Sequence, residues 1–261
     1  MVEATAAVTL ALRDQPPQGE AGARARGLAW LAAAQHGDGG WGISAEDPES
    51  GWQTAWAVLA LARTEANDDE ARQGAAWLVA VKRLEFEDAM LTEARAKLAI
   101  DVSLYGWPWL PGQGAWVEPT ALALLALSAL PEANAPAVRL DEAVGYLEDR
   151  RCAGGGWNLG TPFMLGAALP PRAHPTAWAL MALAKVRRGA LRPEDVAVLR
   201  AEMASDGGAL ALGLGSLALR TLEEDDDGAT ARLAAMQAAD GGWNANPYHT
   251  AIAMMALRGS L

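Results

Sequence analysis

"QHGDGGWG" (Gln35–Gly42) and "QAADGGWN" (Gln237–Asn244) lie near opposite ends of the chain, and each puts five residues between a Gln and a Trp. A glycine-rich loop that returns with one spacing and ends on a large apolar ring is a repeated structural part, not a flexible connection. "AGGGW" (Ala153–Trp157) is a third copy with Arg151 at the Gln position, and "SDGGA" (Ser205–Ala209) is a decayed one.

Working outward from these loops, a second repeat appears. "VEATAAVTLAL" (Val2–Leu12), "WQTAWAVLALAR" (Trp52–Arg63), "VEPTALALLALSAL" (Val117–Leu130), "HPTAWALMALAKV" (His174–Val186) and "YHTAIAMMALRG" (Tyr248–Gly259) each carry Thr-Ala near the start. Alanines and large aliphatic residues then follow on all faces. A helix that is apolar all round belongs inside a protein or a membrane, and these are shorter than the ~20 residues a bilayer needs. Thr and Pro at their starts suit helix N-termini.

Between them run amphipathic segments with charge on one side: Ala23–Gln35, Asp69–Arg83, Leu140–Arg151, Pro193–Met203 and Ala229–Gln237. The pattern predicts five or six inner helices alternating with five outer ones. A chain that opens and closes on inner elements can pair its ends. The expected fold is therefore all-α, a single α/α toroid over residues 1–261, with inner helices lining a central cavity. No period-two pattern is sustained, so no sheet of consequence is expected. Residues 84–116, ending "GWPWLPGQGAW", and Asn158–Ala173 break the rhythm and read as ordered loops, either functional or packed as lids. "EEDDDG" (Glu223–Gly228) reads as a solvated connection leading into a helix.

Composition narrows the function. The 261 residues carry a formal net charge of -11 with no Lys/Arg run, which argues against nucleic acid as a partner. One cysteine, Cys152, excludes an internal disulfide and fits a reducing compartment. No signal-peptide pattern is read at the N-terminus, and a cytoplasmic protein with no transmembrane segment is expected. Aromatic usage is lopsided, with eleven Trp against three Tyr and two Phe. Those Trp either fill a core of small alanines or offer their faces to a cation.

The loops and the Thr-Ala helices together resemble the prenyltransferase/squalene oxidase repeats, the QW motifs of triterpene cyclases. The resemblance covers nearly the whole chain. It implies that Gln35 with Trp41 and Gln237 with Trp243 are structural clamps joining successive helix pairs, and that Arg151 alters the clamp at Trp157. Class II terpene cyclases of that family protonate an alkene or epoxide with an Asp of "DxDD", directly before a "TA". A carboxylic acid can do this only where it is kept neutral and dry. Glu3, Trp52, Glu118, His174 and Tyr248 occupy the corresponding position here. Glu118 keeps a carboxyl group, though Trp116 and Pro119 flank it in place of aspartates.

The protein prenyltransferase β subunits share the toroid and bind zinc through Asp, Cys and a His in "YHT". Tyr248, His249 and Thr250 match that triplet, but the Asp and Cys have no counterparts, so neither metal nor other cofactor is expected. Candidate catalytic groups are Glu118, His174 and His249. Candidate substrate-binding residues are Trp52, Trp56, Trp107, Trp109, Trp116, Trp178 and Tyr248, with Trp116 shielding Glu118. The bland alternatives are that Glu118 caps its own helix and that the histidines are hydrogen-bonded at helix starts. The resemblance implies a terpene-cyclase-like enzyme acting on a hydrophobic isoprenoid. The competing reading is a non-catalytic module binding a lipid or a protein, or a subunit completed by another chain.

Overall fold

A computed structural model describes residues 1–14, 20–64, 68–85, 91, 92, 97, 100–130, 136–164, 166–259 and 261. It contains helices α1 (Val2–Ala11), α2 (Glu20–Ala33), α3 (Gln53–Arg63), α4 (Asp68–Ala80), α5 (Val117–Ala129) and α6 (Ala137–Asp149). These are followed by α7 (Ala173–Val186), α8 (Pro193–Asp206), α9 (Ala209–Thr221), α10 (Ala229–Ala235) and α11 (Pro247–Arg258). The only ladders among the described residues are two-residue antiparallel pairs, Trp107–Pro108 with Ala115–Trp116 and Phe163–Met164 with Ala167–Ala168. Residues 86–90, 93–96, 98 and 99 of the 84–116 stretch lie outside the described residues.

The odd-numbered helices pack on one another in sequence, and α11 closes back onto α1, giving an inner ring of six. The even-numbered helices pack outside it. This is the α/α toroid. Ala55, Ala57 and Ala60 on α3, and Ala121, Ala123 and Ala126 on α5, are almost wholly buried. Their small side chains let neighbouring backbones approach closely. At the seam Arg258 donates to the Ala11 carbonyl, and Arg13 Nη1 reaches the Leu261 carbonyl at 3.2 Å. The sixth inner helix, α9, is reached from α8 with only Gly207 and Gly208 between, and it has no Thr-Ala start. Gly207 supplies the left-handed turn (φ 62) that ends α8, so the decayed "SDGGA" has become a tight helix–helix corner.

The Gln/Trp loops answer to one hydrogen-bonding scheme. The Trp41 backbone N–H donates to Thr54 Oγ1 of α3 at 2.9 Å, and its indole N–H donates to the Leu31 carbonyl of α2 at 2.7 Å. Trp157 does the same with Thr176 and Leu147, and Trp243 with Thr250 and Leu233. Each Trp therefore pins the outer helix before it to the inner helix after it. The Thr of Thr-Ala is the acceptor in that clamp, a role beyond marking a helix start. Gln35 Nε2 donates to the Gly39 and Glu70 carbonyls, tying the loop to α4, and Gln237 Nε2 donates to the Gly241 carbonyl. Gly39, Gly155 and Gly241, two residues before each Trp, all have positive φ (88, 107 and 85), which a side chain would strain.

The clamp at Arg151 is rebuilt with a buried ion pair. Arg151 Nε contacts both Asp195 oxygens at 3.0 and 3.1 Å, and the guanidinium lies 4.7 Å from the Trp157 ring centroid. Asp195 also accepts the Gly156 N–H, the bond that Asp38 and Asp240 make to Gly40 and Gly242 in the other loops. Here that loop position is Gly154, so the carboxylate comes from α8.

A fourth clamp was not legible as one. Trp107, expected to bind substrate, is buried, donates its backbone N–H to Thr120 Oγ1 at 2.8 Å, and donates its indole N–H to the Leu78 carbonyl of α4 at 2.8 Å. Arg139 lies over its ring at 3.6 Å and donates to the Tyr105 and Gly106 carbonyls, filling the part played elsewhere by Gln. Trp107 is structural.

Candidate active site

All six inner helices run the same way, so their N-terminal ends share one rim. The residue two before each Thr of Thr-Ala is the one that the resemblance marks: Glu3, Trp52, Glu118, His174 and Tyr248. Glu3 on α1 and Glu118 on α5 are not on adjacent helices, yet they feel one another electrostatically, and Tyr248 on α11 feels both. These three side chains are therefore within electrostatic reach of one another.

Glu118 keeps part of its surface accessible while protein surrounds it. That burial, with the Glu3 charge added, pushes its pKa up to about 7. Burial also raises Glu3. Tyr248 is raised well above its ordinary value, by burial first and then by the two carboxylates. Glu118 makes no side-chain hydrogen bond that caps α5, whose N-cap is Trp116. The capping alternative therefore has no bond to support it.

Beneath this group are Trp56 and Trp178, both fully buried. Their rings meet edge to face at 5.4 Å, and Trp56 meets Tyr248 in the same manner at 5.7 Å. Unlike the four clamp tryptophans, whose indole N–H groups all have acceptors, Trp56 Nε1 and Trp178 Nε1 are buried without a hydrogen-bond partner. The sequence separates the two kinds of Trp by position alone. Clamp residues precede an inner helix, and the axis residues sit two after its Thr.

The histidines form a neighbouring group. Burial lowers the pKa of His174, with His249 adding to the effect and Asp206 opposing it. His249 is likewise lowered by burial, and its Nδ1 lies 3.0 Å from the Asn244 side-chain nitrogen. Asn246 Oδ1 accepts from the Tyr248 and His249 backbone N–H groups and caps α11. The electrostatic neighbours of His174 are thus Asp206 and His249, whereas those of Glu118 are Glu3 and Tyr248. Among the described residues no group of three His, Cys, Asp or Glu side chains is close enough to hold a metal ion.

Three of the expected lining residues make contacts outside the Glu3, Glu118 and Tyr248 group. Trp52 and Trp109 pack edge to face at 4.7 Å, and the Trp52 backbone N–H donates to the Trp109 carbonyl. Trp116 is 37% exposed and faces an outer groove of about 390 Å³ beside Tyr105 and Tyr146. Its backbone is extended, to pair with Trp107, before α5 begins. A side chain placed there points away from its helix and stands over Gly160. It therefore belongs to the outer groove and not to the cavity wall. The residue underrated by sequence is Glu3, read as a terminal cap although it shares the marked position with Glu118.

The chain matches no protein-family model. A curated relative, drimenyl diphosphate synthase from Streptomyces showdoensis, is 46% identical over 54 residues, which is 21% of this chain and 10% of that protein. The match thus spans about a tenth of that relative's length. Among solved structures, the type II terpene cyclase MstE from Scytonema is similar at TM-score 0.68 and 17% identity, covering 98% of this chain and 86% of that one. A protein from Actinoplanes gives 0.67 and 18%, covering 99% and 89%. Native alpha-2-macroglobulin from Escherichia coli, from domain MG7 to the C-terminus, gives 0.55 and 15%, covering 99% and 39%. The chain has a terpene-cyclase-like fold. That fold is not confined to cyclases, so chemistry must be argued from the site. No helix among the described residues is long and apolar enough to cross a membrane.

Proposed function

We propose that residues 1–261 form one QW-repeat toroid that acts in the cytoplasm as a terpene-cyclase-like enzyme on a hydrophobic isoprenoid, with Glu118 as the acid. The observation that carries this reading is a buried carboxyl with a pKa of about 7, beside Glu3 and Tyr248 and above the Trp56–Trp178 pair. The partial likeness to drimenyl diphosphate synthase supports the substrate class. So does a solved form of the Scytonema cyclase that holds geranylgeranyl dihydroxybenzoate as its substrate.

In this mechanism the protonated Glu118 transfers its proton to a terminal alkene carbon or an epoxide oxygen, leaving a carboxylate and a carbocation. Ring closure moves the positive charge along the chain. The faces of Trp56, Trp178 and Tyr248 stabilise it. Loss of a proton from carbon to a neutral base ends the reaction, and His174, kept uncharged by burial, is suited to that task. Neither metal nor redox cofactor enters this scheme.

The experiment is a survey of polyprenyl diphosphates, polyprenyl epoxides and prenylated aromatic acids, followed by product analysis across pH. Only the acid form of Glu118 reacts. With the initiating protonation as the slow step, the rate should be level just below about pH 7 and fall about tenfold per unit above it. A rate that rises through this range would make Glu118 a base and defeat the scheme. If every substrate class binds unchanged, the fold serves as a lipid-binding module.

A further inference from the structure

The opposite rim of the ring carries a second feature, and its interpretation does not depend on the reading of Glu118. There the C-terminal ends of the inner helices surround a pocket of about 280 Å³. Arg63 from α3, Lys185 from α7 and Arg220 from α9 line it, with Glu223 as the opposing charge and Leu125 and Met181 as apolar lining. The length of α3 places Arg63 roughly 16 Å along the helix from the Glu118 rim, and Trp56 and Trp178 lie between.

Helix C-termini favour cations nearby, which explains why basic residues gather here. It does not explain why they are so poorly matched. Arg63 is half-buried, and its Nε is buried without a hydrogen-bond partner. Its charge is disfavoured by burial and by the neighbouring Arg13. Arg13 is occupied with Asp14, and Arg220 has only a 3.9 Å contact with Asp226. Neither Arg63 nor Lys185 has an ion-pair partner among the described residues. Arg63, Lys185 and Arg220 outnumber Glu223 among the side chains of the lining, which leaves the pocket wall net positive and suited to an oxyanion. The planar guanidinium matches tetrahedral oxyanions through paired N–H donors.

We propose that this pocket binds a phosphate or diphosphate group, with Arg63 and Lys185 as its principal contacts and Leu125 and Met181 accommodating the first carbons of an ester. Sodium diphosphate, sodium phosphate and sodium chloride are titrated into the full chain by calorimetry at constant ionic strength. Diphosphate should bind saturably and more tightly than phosphate, with chloride giving no saturable signal. Arg63→Gln and Lys185→Gln should each weaken diphosphate at least about tenfold, and Glu223→Gln should tighten it. Lys185 is exposed, so its variant decides the matter if Arg63→Gln does not fold. Absence of saturable binding, equal binding of chloride, or indifference to Lys185→Gln would leave these cations as partners of the helix ends and overturn the proposal.

Discussion

Trp41→Ala should lower the free energy of unfolding by about 3–5 kcal/mol, the range for removing a buried aromatic side chain. Trp41 has no exposed surface, and Gly74 of α4 lies so close that an added Cβ would stand 2.6 Å from its ring. Truncation leaves a cavity between α2, α3 and α4 and strips the Leu31 carbonyl of its indole donor. Trp41→Phe should cost less, because most of the volume stays. Trp116→Ala, at a position 37% exposed, should fall within about 1 kcal/mol of the parent. Urea unfolding of the three variants checks the order. Equal small losses for Trp41→Ala and Trp116→Ala would refute the clamp.

Glu118→Gln should reduce isoprenoid turnover about a thousandfold or more, since general-acid catalysis is lost and amides do not protonate alkenes. The shape of the side chain is retained and no core packing is removed. Below about pH 4.5, where the carboxyl is protonated in both the folded and the unfolded chain, stability should therefore stay within about 1 kcal/mol. The raised pKa also has a consequence for folding. The unfolded carboxyl ionises first, so the Glu118 contribution to stability is fully present below the ordinary Glu range and is lost as pH rises through about 7. The Gln variant should lack that component. Retained turnover in Glu118→Gln would transfer the acid role elsewhere, with Glu3 as the first residue to test.

The toroid was legible because two independent periods, the Gln/Trp loops and the Thr-Ala helices, pointed to one architecture. Glu118 stood out because the Thr-Ala repeat marks one position in each inner helix that carries it and, with Glu3, it is one of two that keep a carboxyl group there. The fourth clamp was hidden because its local pattern is missing. Trp107 follows a long stretch with Asp101, not Gln, at the spacing that reveals the others, and its cationic partner Arg139 comes from a helix later in the chain. Asp195 was hidden likewise, since a carboxylate on α8 completing a loop 39 residues earlier leaves no local signal. Trp116 was misplaced because proximity to Glu118 in sequence says nothing about direction at a strand-to-helix junction. Helix α9 was underread because its Thr is gone and its loop has shrunk to two glycines.

The central claim is that Glu118 is held as a neutral acid at the inner-helix N-terminal rim. Carbon-13 NMR of glutamate-labelled protein measures this directly, with Glu118→Gln to assign the resonance. One side-chain carboxyl should titrate near pH 7, vanish in Glu118→Gln, and move to lower pH in Glu3→Gln, where the neighbouring charge is absent. A spectrum in which the assigned Glu118 resonance titrates near the ordinary value of 4.5 would contradict the account.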